Sequence, residues 1–337
     1  MGFARLACLA ALLFASRGLA RAQTSEADFF RGKTIQMHIG FGPGGNNDQW
    51  ARLMARFVGK YIPGNPAVVT QNVPGAGGLK ALNYLANVAP RDGTVWAVVA
   101  RGLPLEPLMG GQGAEFDPLK LTYLGSPARD TTVCAVTRET PVREIRDFLE
   151  REVIVGSTGS GAETHVIPLL LDNVLGMKFR IVSGYKGSTE ILLAMERREV
   201  DGICIAFESL ERRAAYRDGR FRAAFQATLE RDPALGDVPL VFDLNMNPAQ
   251  RKVLELIFVR DMIGRPFIAP PGLPPARVKT LRDAFAAALA DPELVAEAKQ
   301  QNLTVKPVSG AALADVIEEA YKAPSDVIRE AAAALGR

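Results

Sequence analysis

Three times along this chain an apolar run ends in glycines and then opens an amphipathic helix. The first case is TIQMHIGFGPGGNNDQWARLMARF, residues 34–57. From Asp48 the apolar positions are Trp50, Leu53, Met54, Phe57, Val58 and Tyr61. That i, i+3, i+4, i+7 spacing gives a helix one apolar face. The second case is PAVVTQN, then VPGAGG, then LKALNYLANV; the third is EVIVGS and GSTGSG before ETHVIPLLLDNVL, where Pro168 is expected to kink the helix. TVWAVVA supplies a further strand in the first half. The pattern restarts after Leu124, with TVCAVT, FRIVSGY and VDGICIAF as strands and VREIRDFLER and TEILLAMERR as helices. Strands alternating with helices imply parallel sheets covered on both faces. The last third is mostly helical, interrupted by the strand GRPFIAP. We therefore expect two α/β lobes around a cleft. Residues 23–124 and 219–337 form a discontinuous lobe 1, and 125–218 form lobe 2.

Residues 1–22, MGFARLACLAALLFASRGLARA, have a basic start, a short apolar stretch and small residues at Ala20 and Ala22. These are the marks of a secretory signal peptide. The stretch is too short for a membrane-spanning helix, so a soluble mature chain beginning near Gln23 is expected in the periplasm. The leader carries Arg5, Arg17 and Arg21 and no acid. Taking these three from the 40 Lys and Arg leaves 37, equal to the 37 Asp and Glu. No electrostatic footprint for nucleic acid remains. Cys134 and Cys204 lie in apolar, strand-like runs. An oxidising compartment would permit a disulfide between them, and two buried small hydrophobes fit equally well. His38 and His165 are the only histidines, so no metal site is expected.

Gly40, Gly42 and Gly45 have the G-x-G-x-x-G spacing of a dinucleotide turn. That reading needs an acid at the end of the next strand to hold a ribose. PAVVTQN ends instead in Gln71 and Asn72, so no nucleotide cofactor is expected. A serine hydrolase is also disfavoured: Ser157 and Ser160 lie in no G-x-S-x-G elbow, and His165 is too near in sequence to be assumed a base. What the glycine loops do offer is backbone N–H groups at helix starts, the positive end of a helix dipole and close backbone approach. Such termini hold anions. Several aimed at one cleft would hold a carboxylate without a charged side chain.

Four segments resemble the Bug/TctC family of extracytoplasmic solute receptors: FGPGGNNDQWAR (41–52), QNVPGAGGLKALNYLA with APRDGT (71–94), GSTGSGAETH (156–165) and GYKGSTEILLAMERREVDG (184–202). The C-terminal PPGLPPARVKTL and DPEL fit more loosely. The resemblance runs from about Lys33 to Tyr321 and implies an α/β, two-lobed periplasmic-binding-protein fold of the type 2, Venus-flytrap kind. It implies a monomeric binding protein, not an enzyme, that takes a small organic acid and passes it to the integral-membrane subunits of a tripartite tricarboxylate-type transporter. A ligand-sensing receptor for a signalling partner is the alternative, and a periplasmic enzyme is a weaker third.

The resemblance also implies the binding residues. From the first loop these are Phe41, Gly42, Gly44, Gly45, Asn46, Asn47 and Asp48. Gly75, Ala76 and Gly77 come from the second. The third gives Ser157, Thr158, Gly159, Ser160, Gly161 and Ala162. Ala162 stands where the family usually has Ser or Thr, a hydroxyl that Ser160 or Thr164 would have to replace. His165 follows in the first helical turn, where packing or capping is the plainer role. Tyr185 and Lys186 come from the Tyr-Lys-Gly segment, with Lys186 equally suited to solvent. Arg101, ending the strand TVWAVVA, would pair with a second ligand carboxylate or be a solvated loop charge. Glu208 would bind a ligand amine or simply start the next helix.

Overall fold

The computed structural model describes residues 25–337; the expected leader lies outside the described residues. In chain order the strands are β1 (Thr34–Ile39), β2 (Ala67–Asn72), β3 (Val95–Val98), β4 (Thr122–Ser126), β5 (Thr132–Thr137), β6 (Val153–Ser157), β7 (Phe179–Ser183), β8 (Gly202–Ala206), β9 (Phe221–Gln226), β10 (Phe267–Ala269) and β11 (Val308–Ser309). The longer helices are α1 (Asn46–Val58), α2 (Leu79–Asn87), α3 (Glu163–Leu175), α4 (Ser188–Glu196), α5 (Pro248–Phe258), α6 (Pro275–Leu289), α7 (Pro292–Gln300), α8 (Gly310–Ala320) and α9 (Ser325–Ala334).

Two sheets result. One has the order β11-β4-β10-β3-β1-β2, the other β7-β6-β8-β5-β9. The β1–β2, β1–β3, β6–β7 and β6–β8 pairs are parallel, as strand–helix alternation requires. Strands that return from the other lobe, β10 against β3 and β5 against β8, pair antiparallel. Central strands are buried along their whole length: VWAV in β3, TVCAVT in β5 and GICIA in β8. Helices cover both faces there, so alternation disappears from the sequence. At the edge, β2 alternates between exposed and half-buried residues.

Helix α1 buries Trp50, Leu53, Met54 and Val58 on the expected face, with Phe57 half-buried. Pro168 lies inside α3 without ending it. Among the described residues no helix is long and apolar enough to cross a membrane.

The lobe boundaries differ from the sequence expectation. Strand β9 belongs to the second sheet, although it lies beyond residue 218. Helices α5 and α9 pack on α3 of the second lobe. Asn173 Nδ2 donates to the Ala334 carbonyl at 2.8 Å, and Gln250 Nε2 to the Val174 carbonyl at 2.6 Å. Apolar period alone says which face of a helix is buried, not which sheet it faces.

The chain crosses between lobes at 127–131 and returns before β10. The two crossings are clasped side by side. Ser126 Oγ accepts from the Arg265 amide at 2.8 Å and donates to the Ala128 carbonyl at 2.8 Å. Gly264 has φ +63°, and a Cβ there would lie 1.9 Å from the Ala128 oxygen. Only glycine permits both the left-handed backbone and this approach.

Cys134 and Cys204 are directly opposed on β5 and β8 and form a disulfide, with Cα atoms 4.0 Å apart and a sequence separation of 70. Strand register brings them together, which no local pattern could reveal. Closing a loop of that length restricts the unfolded chain by about 4 kcal/mol. The Cys134→Ala, Cys204→Ala double variant should therefore lose about 2–4 kcal/mol in urea unfolding. A midpoint that neither the variant nor reductant moves would show that the pair contributes nothing.

Candidate ligand cleft

Three long helices begin at one place. Helix α1 follows Gly45 (φ −77°, ψ 169°), α3 follows Ala162 (φ −84°, ψ 151°), and α4 follows Gly187 (φ −169°, ψ 166°). None of the three cap positions makes a side-chain capping bond. All three line a cleft between the lobes, about 620 Å³ including its open mouth. The first N–H groups of each helix are therefore left for a partner, and the three dipoles add positive potential at the same point. Thr158, Ser188 and Ser209 add polar side chains to the lining, and Phe41 and Ile205 add apolar surface.

The first loop is held by its own polar side chains. Asp48 is buried and accepts from the Gly44 amide at 2.9 Å, from Asn72 Nδ2 at 2.8 Å and from Arg52 Nε at 3.0 Å. Burial would raise the Asp48 pKa, but these hydrogen bonds and the Arg52 charge together hold it below the usual carboxylate range. Asn72 Nδ2 also donates to the Phe41 carbonyl at 2.9 Å. The amide that ends β2, where a dinucleotide site needs an acid, thus fastens the loop instead.

The cleft floor carries a buried ionic network at the two lobe crossings. Arg101 is only 4% exposed. It pairs with Asp130 at 3.2 Å, with Asp261 at 3.4 Å and with Glu163. Arg265 pairs with Asp130 at 2.8 Å and with Glu208 at 3.0 Å. Thr132 Oγ1 bridges Arg101 and Asp261, at 2.9 and 2.7 Å. Glu208 also accepts from Asn46 Nδ2 at 2.5 Å, Trp50 Nε1 at 3.4 Å and the Thr304 amide at 2.7 Å. Burial raises the pKa values of Asp130 and Asp261 despite their arginines. For Glu208 burial also pushes upward, but Arg265 and the donated hydrogen bonds win and its pKa falls.

Residues 51–332 match the model of the tripartite tricarboxylate transporter family receptor, TctC. That is most of the described chain. The chain belongs to this family. Its members are substrate-binding receptors rather than enzymes. A UPF0065 protein of Bordetella pertussis is 25% identical over 297 residues, covering 86% of this chain and 85% of that one. The periplasmic binding protein BugD superposes with a TM-score of 0.70 at 22% identity, over 87% of this chain and 95% of that one. MatC from Rhodopseudomonas palustris with bound malate gives a TM-score of 0.70 at 21% identity, over 89% and 100%. These neighbours share the two-lobed periplasmic-binding-protein fold.

Within this TctC receptor the residues singled out from sequence divide sharply. Phe41, Gly45, Asn46, Asn47, Arg101, Thr158 and Ala162 line the cleft. Gly42 lies at its edge, its amide donating to the Lys186 carbonyl at 3.0 Å across the lobes. The left-handed glycine of this loop is Gly44 at φ +83°, whereas Gly45 is extended. Gly75, Ala76 and Gly77 stand behind the third loop. A Cβ on Gly77 would lie 2.9 Å from the Ala162 amide, and one on Gly159 would lie 2.9 Å from Ala76 Cα. The second glycine loop is therefore a backbone-to-backbone support.

Ser157 is fully buried, its Oγ accepting from the Gly159 amide at 3.1 Å. Gly161 packs on Leu103, and Ser160 is exposed. The hydroxyl nearest in role to the one missing at Ala162 is Thr164. It lines the cleft and its Oγ1 accepts from the Thr158 amide at 3.0 Å. His165 lies off the cleft, Nδ1 3.5 Å from Ser183 Oγ. Tyr185 packs on the second-lobe core and Lys186 is exposed.

Arg101 is buried rather than a solvated loop charge, and in the cleft lining three protein carboxylates already surround it. Glu208 is likewise engaged by Arg265 and Asn46. Sequence reasoning missed Glu163, Gly187, Ser188, Ser209 and Arg265 as lining residues. Gly187 and Ser188 had a readable signal, a strand, glycines and then a helix, in the Gly-Tyr-Lys-Gly segment. Arg265 follows Gly264 in a return crossing with no local signature.

Arg101→Ala should leave Asp130, Asp261 and Glu163 without their shared counter-ion. Breaking a buried pair in this way costs about 3–5 kcal/mol, so denaturant unfolding without ligand should show the loss. Wild-type stability with a selective loss of diacid affinity would instead restore a direct ligand contact.

Proposed function

We propose that this TctC receptor captures a small organic acid in the inter-lobe cleft. One ligand carboxylate sits against the N-termini of α1, α3 and α4. The observation that carries this reading is the convergence of three uncapped helix starts on one lining. Backbone donors at such termini favour anions, and that fits one carboxylate of the malate carried by a neighbour of the same fold. The loaded receptor then docks on the integral subunits of a tripartite transporter. It works as a monomer in the periplasm, after removal of residues 1–22.

Capture by closure follows from where the lobes touch. Asn46 and Trp50 of the first lobe bond Glu208 of the second, and Gly42 bonds Lys186. Opening the cleft breaks these contacts, and a ligand bridging α1 to α3 and α4 restores them. Trp50 is fully buried beside this seam, whereas Trp96 sits in the first-lobe core and donates to the Gly93 carbonyl at 2.9 Å.

Titrating the mature protein with mono-, di- and tricarboxylates should identify ligands by thermal shift; at a hundredfold excess over Kd the gain is about 2.7 kcal/mol. The same ligands should reduce the radius of gyration in small-angle scattering and change Trp50 emission in a Trp96→Phe background. Saturated binding without either change would rule out hinge closure.

A further inference from the structure

We infer that this cleft takes one carboxylate only, and that Glu163 makes it reject a second, so the rest of the ligand is uncharged or cationic. The inference rests on the carboxylate reading just given and narrows its substrate class.

Two arginines reach the cleft lining, Arg101 and Arg265; among the described residues no other cationic side chain lines it. Both are already engaged. Arg101 faces Asp130, Asp261 and Glu163, and Arg265 faces Asp130 and Glu208. Within the lining two guanidinium groups thus serve four carboxylates, with the buried Arg260 and Arg212 charges acting on the same acids from behind. Arg260 is fully buried behind Arg101, against Gly102, and does not line the cleft. Arg212 and Arg213 lie outside the lining as well, bonded to the Glu208 carbonyl at 3.1 Å and to Thr189 Oγ1 at 2.9 Å. The lining therefore has no cation in reserve for a second ligand charge.

Glu163 is the acid that lines the cleft itself. It is the first residue of α3, directly after the Ala162 cap. It thus belongs to one of the helix starts proposed to hold the anion. One of its oxygens meets Arg101 and the other accepts from the Ala206 amide at 3.4 Å. A second ligand carboxylate pushed in here has two outcomes. It stays unpaired beside Glu163, or it displaces Glu163 from Arg101 and leaves that acid unpaired. Either way a desolvated charge lacks a partner, which is costly. A hydroxyl, an amide N–H or an ammonium does the reverse. It donates to Glu163, whose two oxygens retain acceptor capacity beyond the bonds they already make. The upward pressure of burial on Asp130 and Asp261 agrees with a region that resists further negative charge.

The test is calorimetry with chain-length-matched triads from three to six carbons: the diacid, its half-amide and the corresponding ω-amino acid, with simple monocarboxylates alongside. At each length that binds, the half-amide or amino acid should bind at least tenfold tighter than the diacid. Glu163→Gln, checked for folding by its melting curve, should narrow that ratio severalfold or more. A diacid that binds as tightly as its half-amide overturns the inference and leaves the carboxylate cleft standing. A ratio unchanged in Glu163→Gln removes Glu163 as its cause. Failure of every acid to bind, monocarboxylates included, overturns the carboxylate reading itself.

Discussion

Burying a charge without a partner is among the largest penalties a fold can carry. Here the place where that penalty is met is also where the chain crosses between the lobes. Asp130 lies in the first lobe crossing, Asp261 and Arg265 in the second, and Arg101 at the end of a first-lobe strand. Their mutual pairing fixes the two crossings against each other, with the Gly264–Ala128 approach as the steric counterpart. Glu163 and Glu208 extend the same network into the second lobe. The ionic floor therefore joins residues spread from Arg101 to Arg265 along the sequence. It leaves the cleft above it to be shaped by backbone.

That division explains what the sequence made legible. Strand–glycine–helix alternation exposed both α/β units and two of the three helix starts that meet at the cleft. Local pattern suffices there, because the donors belong to the backbone and the glycines mark where it bends. The same pattern overstated the second glycine loop. Gly77 and Gly159 are needed for close packing of two loops, and composition cannot separate that from close approach to a ligand. The helical last third showed its apolar faces, but not that α5 and α9 pack on α3 of the second lobe, because the partner surface is not written in the period. Arg101 was noticed through its position, but the acids around it were not. Its three acids lie 29, 62 and 160 residues away, and only the fold assembles them.

Loop 1 shows how little side-chain chemistry the anion position needs. Asp48, Asn72 and Arg52 make their bonds to the loop and to one another. Their work is to hold the Gly45 helix start in place before any ligand arrives. Preorganised donors avoid the ordering cost that flexible side chains incur on binding. The separation also shields the anion position from variation elsewhere in the lining, since no side chain has to be kept for the carboxylate itself.

A receptor that must release its cargo gains from this arrangement. A bidentate arginine would grip a carboxylate with paired charge-assisted bonds, and opening the lobes would leave much of that grip intact on one side. Under the proposed reading, donors divided between α1 on one lobe and α3 and α4 on the other would lose their common target as the lobes part. Under the proposed closure mechanism affinity would be coupled to closure itself. The arginines that could have bound the ligand directly are instead held by Asp130, Asp261, Glu163 and Glu208. In that position they fasten the two lobe crossings to each other.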